Sequence, residues 1–269
     1  MAGLTIATWN INSVRLRAPQ VARFAAEADP DVICLQEIKC REEEFPRKAF
    51  EEMGYPHIHV TGQKGMHGVA TASRLPLEPL DSQALCPKEE ARHQRVRVAG
   101  VEIENYYIPA GGDEPDPDIN PRFAHKMDFL AALKPYLAQR AGEGGQRVLV
   151  GDLNIAPREH DVWSHKQLLK VVSHTPGEVE ALEGARNAGK MLDIARELIA
   201  EPEKVYTWWS YRNRDWRKSN RGRRLDHIWV SPELEAAATA NGRDGFRIWD
   251  HARSWEKPSD HAPVTLKLK

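Results

Sequence analysis

Six oxygen-bearing side chains stand at the ends of short apolar runs: Asn10, Glu37, Asp152, Asn154, Asp226 and Asp260, with His261 directly beside Asp260. Carboxylates and amides gathered at one edge of a sheet suit a hard cation such as Mg²⁺, which takes oxygen ligands and keeps several waters. An imidazole among them handles a proton or stabilises charge near neutral pH. Cation, carboxylates and histidine together describe a phosphoryl-transfer site. Taken singly, each residue is ordinary, because Asp and Asn form turns at strand ends. Asp29, Asp31 and Asp81 are read only as such. Composition and spacing alone leave a Mg²⁺-dependent hydrolase as one reading among several.

The elements that must position these groups are visible in the apolar runs. Residues 4–9 lead into Asn10, 32–35 into Gln36-Glu37, 101–108 into Pro109-Ala110-Gly111-Gly112, and 148–150 into Gly151-Asp152-Leu153-Asn154. Two runs reverse the order: 228–230 follows Arg224-Leu225-Asp226, and 262–268 follows Ser259-Asp260-His261. Short, β-branched-rich runs of this kind read as buried strands. Helical spacing is predicted over 17–28, where Val21, Phe24, Ala25 and Ala28 share a face. It recurs over 122–140, with Asn120 as cap and Pro121 at the first helical position. Residues 178–199 read as one or two helices with a break within 184–189, and 111–121 and 209–224 read as loops. Strands mixed with helices predict an α/β or α+β fold, here one domain over residues 1–269. Both halves begin with a strand delivering Asn or Asp, a weak sign of internal duplication.

Composition narrows the class. The 269 residues carry 38 Lys plus Arg against 39 Asp plus Glu, a net charge of −1, so any nucleic-acid surface must be local. With 41% hydrophobic and 29% charged residues the chain is not disordered. Three cysteines, Cys34, Cys40 and Cys86, form neither a disulfide framework nor a CxxC zinc pair, which points to a reducing, cytoplasmic setting. The N-terminus does not read as a signal peptide, and no apolar stretch approaches the roughly 18 residues of a membrane span. The run Gly184-Ala-Arg-Asn-Ala-Gly189-Lys190 mimics a P-loop but continues with Met191 where Ser or Thr is needed, and it follows a helical segment. His57, His59, His67, His93 and His125 lack metal-ligand spacing and are expected on the surface or in loops.

Six ordered motifs carry a resemblance: Thr8-Trp9-Asn10-Ile11-Asn12, Leu35-Gln36-Glu37, Gly62-Gln63-Lys64-Gly65 with Gly68-Val69-Ala70, Gly151-Asp152-Leu153-Asn154-Ile155, Arg224-Leu225-Asp226-His227 and Ser259-Asp260-His261-Ala262-Pro263-Val264. From about residue 4 to the C-terminus the chain resembles the exonuclease III family of apurinic/apyrimidinic endonucleases, nearest its bacterial branch. The resemblance implies a four-layer α/β sandwich, with two face-to-face mixed β-sheets flanked by helices. It implies a Mg²⁺ site, where Mn²⁺ can substitute, with Glu37 as principal ligand and Asn10, Asp152, Asn154, Asp260 and His261 around it. Asp152 would orient or deprotonate the attacking water, and Asn154 would hold that water or the phosphate. His261 would contact the scissile phosphate, with Asp226 fixing its tautomer and Tyr107 touching the phosphate.

The same resemblance implies duplex DNA with abasic sites or damaged 3′ ends as partner, no membrane, and a monomer. Incision 5′ to abasic sites, 3′→5′ exonuclease action and removal of 3′-blocking groups would be the activities. Residues 206–230 interleave aromatics with seven basic residues, Arg212, Arg214, Arg217, Lys218, Arg221, Arg223 and Arg224, a pattern that grips phosphates and stacks on bases or sugars. Trp208 would wall the abasic-sugar pocket, and Arg212 and Arg221 would meet DNA. Lys64, Arg95 and Lys126 match family positions near DNA, although Arg95 also reads as a strand salt bridge and Lys126 as an exposed helix residue. Trp229 reads as core. Ala110 stands where relatives often carry Asn or Gln, and Arg223 where some carry Trp. The rival readings are a phosphodiesterase for RNA or another phosphoester, and a catalytically silent nucleic-acid binder.

Overall fold

A computed structural model describes residues 3–213 and 215–269. Arg214 of the basic segment therefore lies outside the described residues. The first sheet begins with β1 (Leu4–Asn10), β2 (Val32–Gln36), β3 (His57–Thr61) and β4 (Val69–Ser73). The second is built from β5 (Leu77–Leu80), β6 (His93–Val98), β7 (Val101–Tyr107), β8 (Arg147–Asp152) and β9 (Leu192–Asp193). A ribbon of β10 (Trp208–Trp209) and β11 (Gly222–Arg223) follows. Then β12 (Asp226–Val230) returns to the second sheet, and β13 (Phe246–Ile248) and β14 (Val264–Leu268) to the first. The spatial orders are β13-β14-β1-β2-β4-β3 and β5-β6-β7-β8-β12-β9. Each sheet holds one parallel pair at its centre, β1 with β2 and β7 with β8, and all other neighbours are antiparallel. That matched layout agrees with the duplication sensed in the sequence.

Burial explains the layers. Ile6, Val32, Cys34, Val264 and Leu266 face Val96, Ile103, Val148, Val150 and Ile228 in one core between the sheets. On the outer face of the first sheet, Trp9, Ile33 and Leu35 meet Val21 and Phe24 of the helix Val14–Ala28. On the outer face of the second, Tyr106, Leu149 and Trp229 meet Phe129, Leu133 and Leu182. Those last three lie on the helices Pro121–Glu143 and Pro176–Ala188. Helix, sheet, sheet, helix is the expected four-layer sandwich.

Helix boundaries show local chemistry at work. Asn120 accepts a hydrogen bond from the Arg122 amide at 3.0 Å, and Pro121 takes the first helical position, as predicted. The N-terminal helix starts at Val14, three residues before the predicted start at 17, because non-helical Arg17 is absorbed as a kink. Asp29 stops it in the left-handed conformation at φ 48°. Segment 178–199 is split, with β9 separating Pro176–Ala188 from a short helix Ile194–Leu198, so the break falls at the Gly189 end of the 184–189 window. The P-loop mimic is simply the body and end of the first of these helices. Among the described residues no helix is long and apolar enough to cross a membrane.

Candidate active site

Strand direction brings the site together. β1, β2, β7 and β8 deliver their carboxyl ends to one edge, carrying Asn10, Glu37, Tyr107 and Asp152. β12 and β14 run the opposite way, so their amino ends reach that same edge with Asp226 and, just before β14, His261. The register pairs Asn10 with Gln36, Tyr107 with Asp152, and Asp152 with Asp226. The approach of β7 to β8 requires Gly151, whose φ is 141° and where a Cβ would lie 1.9 Å from the Tyr106 carbonyl oxygen.

Two like charges opposite each other on adjacent antiparallel strands repel. Here a third group relieves them. His261 donates through Nδ1 to Asp226 Oδ2 at 2.8 Å, and its Nε2 lies 3.7 Å from Asp152 Oδ2. Burial opposes charging of His261, but Asp226 and Asp152 outweigh it and lift the imidazole to about 10. Burial raises the Asp152 carboxyl to about 7, helped by the neighbouring Asp226 and Glu37 charges and opposed by His261. The pair is thus poised with a charged imidazole beside a carboxylate that exchanges a proton near neutral pH.

Amides fix the carboxylates. The Asn10 side-chain amide donates to Glu37 Oε1 at 3.0 Å and to Asp152 Oδ2 at 2.9 Å, tying the two sheets together. Tyr107 Oη donates to the same Glu37 oxygen at 2.8 Å. Asn154, in the left-handed region at φ 54°, donates its backbone N–H to Asp152 Oδ1 at 3.0 Å and its amide to Asp152 Oδ2 at 3.1 Å. Glu37 is also left-handed at φ 49°, a conformation that costs a non-glycine residue on the order of 1–3 kcal/mol and persists where function over-determines it.

Glu37, Asp152, Asn154 and His261 line a cavity of about 490 Å³ together with Trp208 and Arg212. A larger cavity of about 630 Å³ around Tyr206, Trp209 and Arg243 holds no comparable constellation. Asp226 Oδ1 is buried without a partner, and Glu37 Oε1 and Asp152 Oδ2 both accept from the one Asn10 amide nitrogen. Closely set carboxylate oxygens with spare lone pairs fit a small dication of the Mg²⁺ type. Asp152, Asp226 and His261 form a compact potential ligand group.

The structure brings most of the predicted residues to this edge. Asp260 lies at the rim, both oxygens engaged, accepting from Trp208 Nε1 at 3.0 Å and Asn12 Nδ2 at 3.2 Å. Arg221 lines the cavity and its guanidinium lies 4.7 Å from the Trp163 ring centroid. Three residues expected to meet DNA do not line the cavity. Lys126 is fully buried, ion-paired with Glu178 at 2.5 Å and donating to the Asn154 carbonyl at 2.8 Å, so it supports Asn154 from beneath. Arg95 joins Glu102 and Glu104 in a charged network on the second sheet, the strand salt bridge. Lys64 is exposed on the β3–β4 connection and does not line the cavity.

Sequence reasoning missed Lys39, whose Nζ sits 3.1 Å from Glu37 Oε2 and donates to Asn12 Oδ1 at 2.6 Å. Its two-residue spacing from Glu37 was the available signal. Also missed were Glu178 and Arg92, which reach the site only through Lys126 and Tyr107. His93 and His125, expected on the surface or in loops, are buried: His93 lies on β6 with its ring stacked 4.3 Å from that of Tyr106, and His125 lies on the helix Pro121–Glu143 with Nε2 2.7 Å from Cys86 Sγ.

Comparison with known proteins decides the family. The Endonuclease/Exonuclease/phosphatase family model matches residues 7–261. The chain belongs to that family. Within the Endonuclease/Exonuclease/phosphatase family it is 31% identical to the Exodeoxyribonuclease III of Haemophilus influenzae, over 97% of this chain and 98% of that one. Its fold matches that of a 3′ phosphatase, NExo, from Neisseria, solved bound to product DNA hairpin, with TM-score 0.88, 32% identity and 99% of each chain covered. It likewise matches an AP endonuclease from Archaeoglobus fulgidus, at TM-score 0.86 and 32% identity over 97% of this chain and 98% of that one. In this family member Ala110 leaves part of the cavity wall without a side-chain donor. Arg223 sits 5.4 Å over the Trp208 ring and donates to the Val172 carbonyl and Ser173 Oγ at 2.9 and 2.7 Å, which fixes that wall.

Proposed function

We propose that this chain is a Mg²⁺-dependent DNA-repair nuclease, one catalytic domain acting as a cytoplasmic monomer. It incises duplex DNA 5′ to abasic sites, trims 3′ ends in the 3′→5′ direction and removes 3′-blocking groups. The observation that carries the reading is the Asp226–His261–Asp152 relay facing Glu37 across the Asn10 amide, inside an arginine- and tryptophan-walled cavity. The hydrolase chemistry agrees with the relatives, which are exonucleases, a 3′ phosphatase and an AP endonuclease by name.

The chain's own residues supply the steps. Asp152 accepts the proton of the attacking water, its carboxylate oriented by the backbone N–H and side-chain amide of Asn154. The water oxygen bonds to phosphorus and the P–O3′ bond breaks, and the departing 3′-oxygen takes a proton from solvent, leaving a 3′-hydroxyl and a 5′-phosphate. His261, held charged by Asp226, donates to a non-bridging oxygen where negative charge develops. Tyr107 keeps Glu37 turned toward the cavity. Glu37 and Asp152, with Asn10 beside them, would hold Mg²⁺, which when bound supplies positive charge against the phosphate. Arg212 and Arg221 meet the DNA backbone, and Trp208 forms the wall against which a base-less sugar fits after flipping.

The test is cleavage of a duplex oligonucleotide with one abasic analogue against the undamaged duplex, with Mg²⁺ and with chelator. Metal-dependent nicking 5′ to the lesion is expected. Digestion of undamaged 3′ ends without nicking would remove the abasic-site preference, and tight binding without any cleavage would overturn the catalytic reading.

A further inference from the structure

We propose that Cys86, Glu90 and His125 form a second metal site, selective for a thiophilic divalent cation of the Zn²⁺ class and separate from the carboxylate centre. Two of the three residues come from the connection between β5 and β6, and His125 comes from the helix Pro121–Glu143. Cys86 Sγ and His125 Nε2 lie 2.7 Å apart. With one Glu90 carboxylate oxygen, the donor atoms all fall within 4.8 Å of one another.

The donor set names the ion. Thiolate with imidazole selects Zn²⁺ and its soft neighbours, whereas Mg²⁺ and Ca²⁺ demand oxygen. Zn–S and Zn–N bonds of about 2.3 and 2.0–2.1 Å place a tetrahedral S···N edge near ~3.6 Å. The sulfur and nitrogen therefore separate by under an ångström to admit the ion, a side-chain adjustment.

The surroundings are built as an outer shell. Arg92 Nε donates to Glu90 Oε2 at 2.5 Å, so the guanidinium orients the carboxylate and leaves Oε1 for the ion. A second Arg92 nitrogen donates to His67 Nδ1 at 2.9 Å. His67 Nε2 faces Glu90 Oε1 at 3.6 Å. Thiolate and carboxylate balance the charge of a dication. Entry is open, because Cys86, Glu90, Arg92 and Phe129 border a cavity of about 430 Å³. Arg92 also stacks 4.7 Å from the Tyr107 ring centroid and donates to its carbonyl at 3.2 Å, which places the site one residue behind the tyrosine that holds Glu37.

The experiment titrates Co²⁺ into the dialysed full-length protein in excess Mg²⁺ and reads the near-ultraviolet thiolate-to-cobalt charge-transfer band. The oxygen-rich centre offers no sulfur, so it is silent in this band. We expect saturation at one equivalent, displacement by Zn²⁺, loss in Cys86→Ser and persistence in Cys40→Ser. His125→Gln should weaken Co²⁺ binding by about tenfold or more. A readout on the wild-type protein, independent of any variant's folding, is alkylation of Cys86 by iodoacetamide followed by mass spectrometry, which Zn²⁺ should slow. A folded wild-type protein with no thiolate band, a band that survives Cys86→Ser, or Cys86 alkylation indifferent to Zn²⁺ would each overturn the site.

Discussion

Asp226 of the second sheet grips His261, which precedes the last strand of the first sheet, through a 2.8 Å bond to Nδ1. The imidazole is therefore held by a carboxylate from across the sandwich, and its charge depends on that partner. Replacing Asp226 by Asn removes the largest of the three charges, Asp226, Asp152 and Asp260, that lift His261 to about 10, while burial still pulls the other way. The imidazole pKa should fall. His261 is charged only below its pKa, so the alkaline limb of kcat/KM should move to lower pH. Above that limb the rate should drop by about 10²–10⁴-fold, the scale of one positioned proton-handling group. Histidine-selective NMR titration of wild type and Asp226→Asn reads the shift directly. An unmoved His261 titration would refute the dependence.

Asp152→Asn separates chemistry from architecture. Asparagine keeps an oxygen for the Asn10 and Asn154 amides but removes the proton acceptor. Turnover should fall by about 10²–10⁴-fold. Stability should hold or rise, because one of two facing buried carboxylates is gone. Single-turnover kinetics with thermal unfolding checks both. A large loss of Tm would mean that Asp152 is chiefly structural.

What the sequence made legible follows from what a run of residues can encode. A strand announces itself locally, and a polar residue at its end announces where it points, so Asn10, Glu37, Asp152, Asp226 and His261 were readable before any coordinates. The pairing of two sheets was not local, and the four-layer arrangement came through family resemblance rather than from periodicity. Lys126 misled for a related reason. It lies on a helix whose apolar spacing left it outside the Phe123–Leu137 stripe, yet Glu178, fifty-two positions on, draws it inward. Cys86 and His125 are thirty-nine residues apart, and no spacing rule joins them.

The burial of Lys126 and the exposure of the arginines predict opposite responses. Removing one partner of a buried ion pair leaves the other uncompensated and costs about 3–5 kcal/mol. Lys126→Met should lower the unfolding free energy by that amount, read as a lower denaturant midpoint, with little change in the salt dependence of DNA binding. Arg221→Ala should leave stability nearly intact and reduce the slope of log K against log salt by about one, the signature of one lost phosphate contact. Fluorescence-anisotropy titrations at several salt concentrations, paired with urea unfolding, distinguish them. A reduced salt slope in a stable Lys126→Met protein would restore that lysine as a DNA contact.

Glu104 offers a pH test remote from the site. Burial pushes its carboxyl up, but His93, Tyr106 and Arg140 outweigh burial and bring it down to about 2. His93 Nε2 lies 3.4 Å away, Tyr136 Oη donates at 3.1 Å, Arg140 Nε at 3.3 Å, and Arg95 Nε stands at 4.0 Å. The folded pKa is below the ordinary 4.5, so the unfolded chain binds the proton more readily. The resulting stabilisation is complete above the unfolded value and is lost as pH falls through about 2. By linkage it amounts to about 3 kcal/mol. Glu104→Gln should therefore be less stable than wild type at pH 7 and should show a flatter loss of stability on acidification below about 4.5. Urea unfolding from pH 7 down to 3 measures both curves. Parallel curves would show that Glu104 titrates normally and that the Arg140 cluster contributes nothing to acid sensitivity.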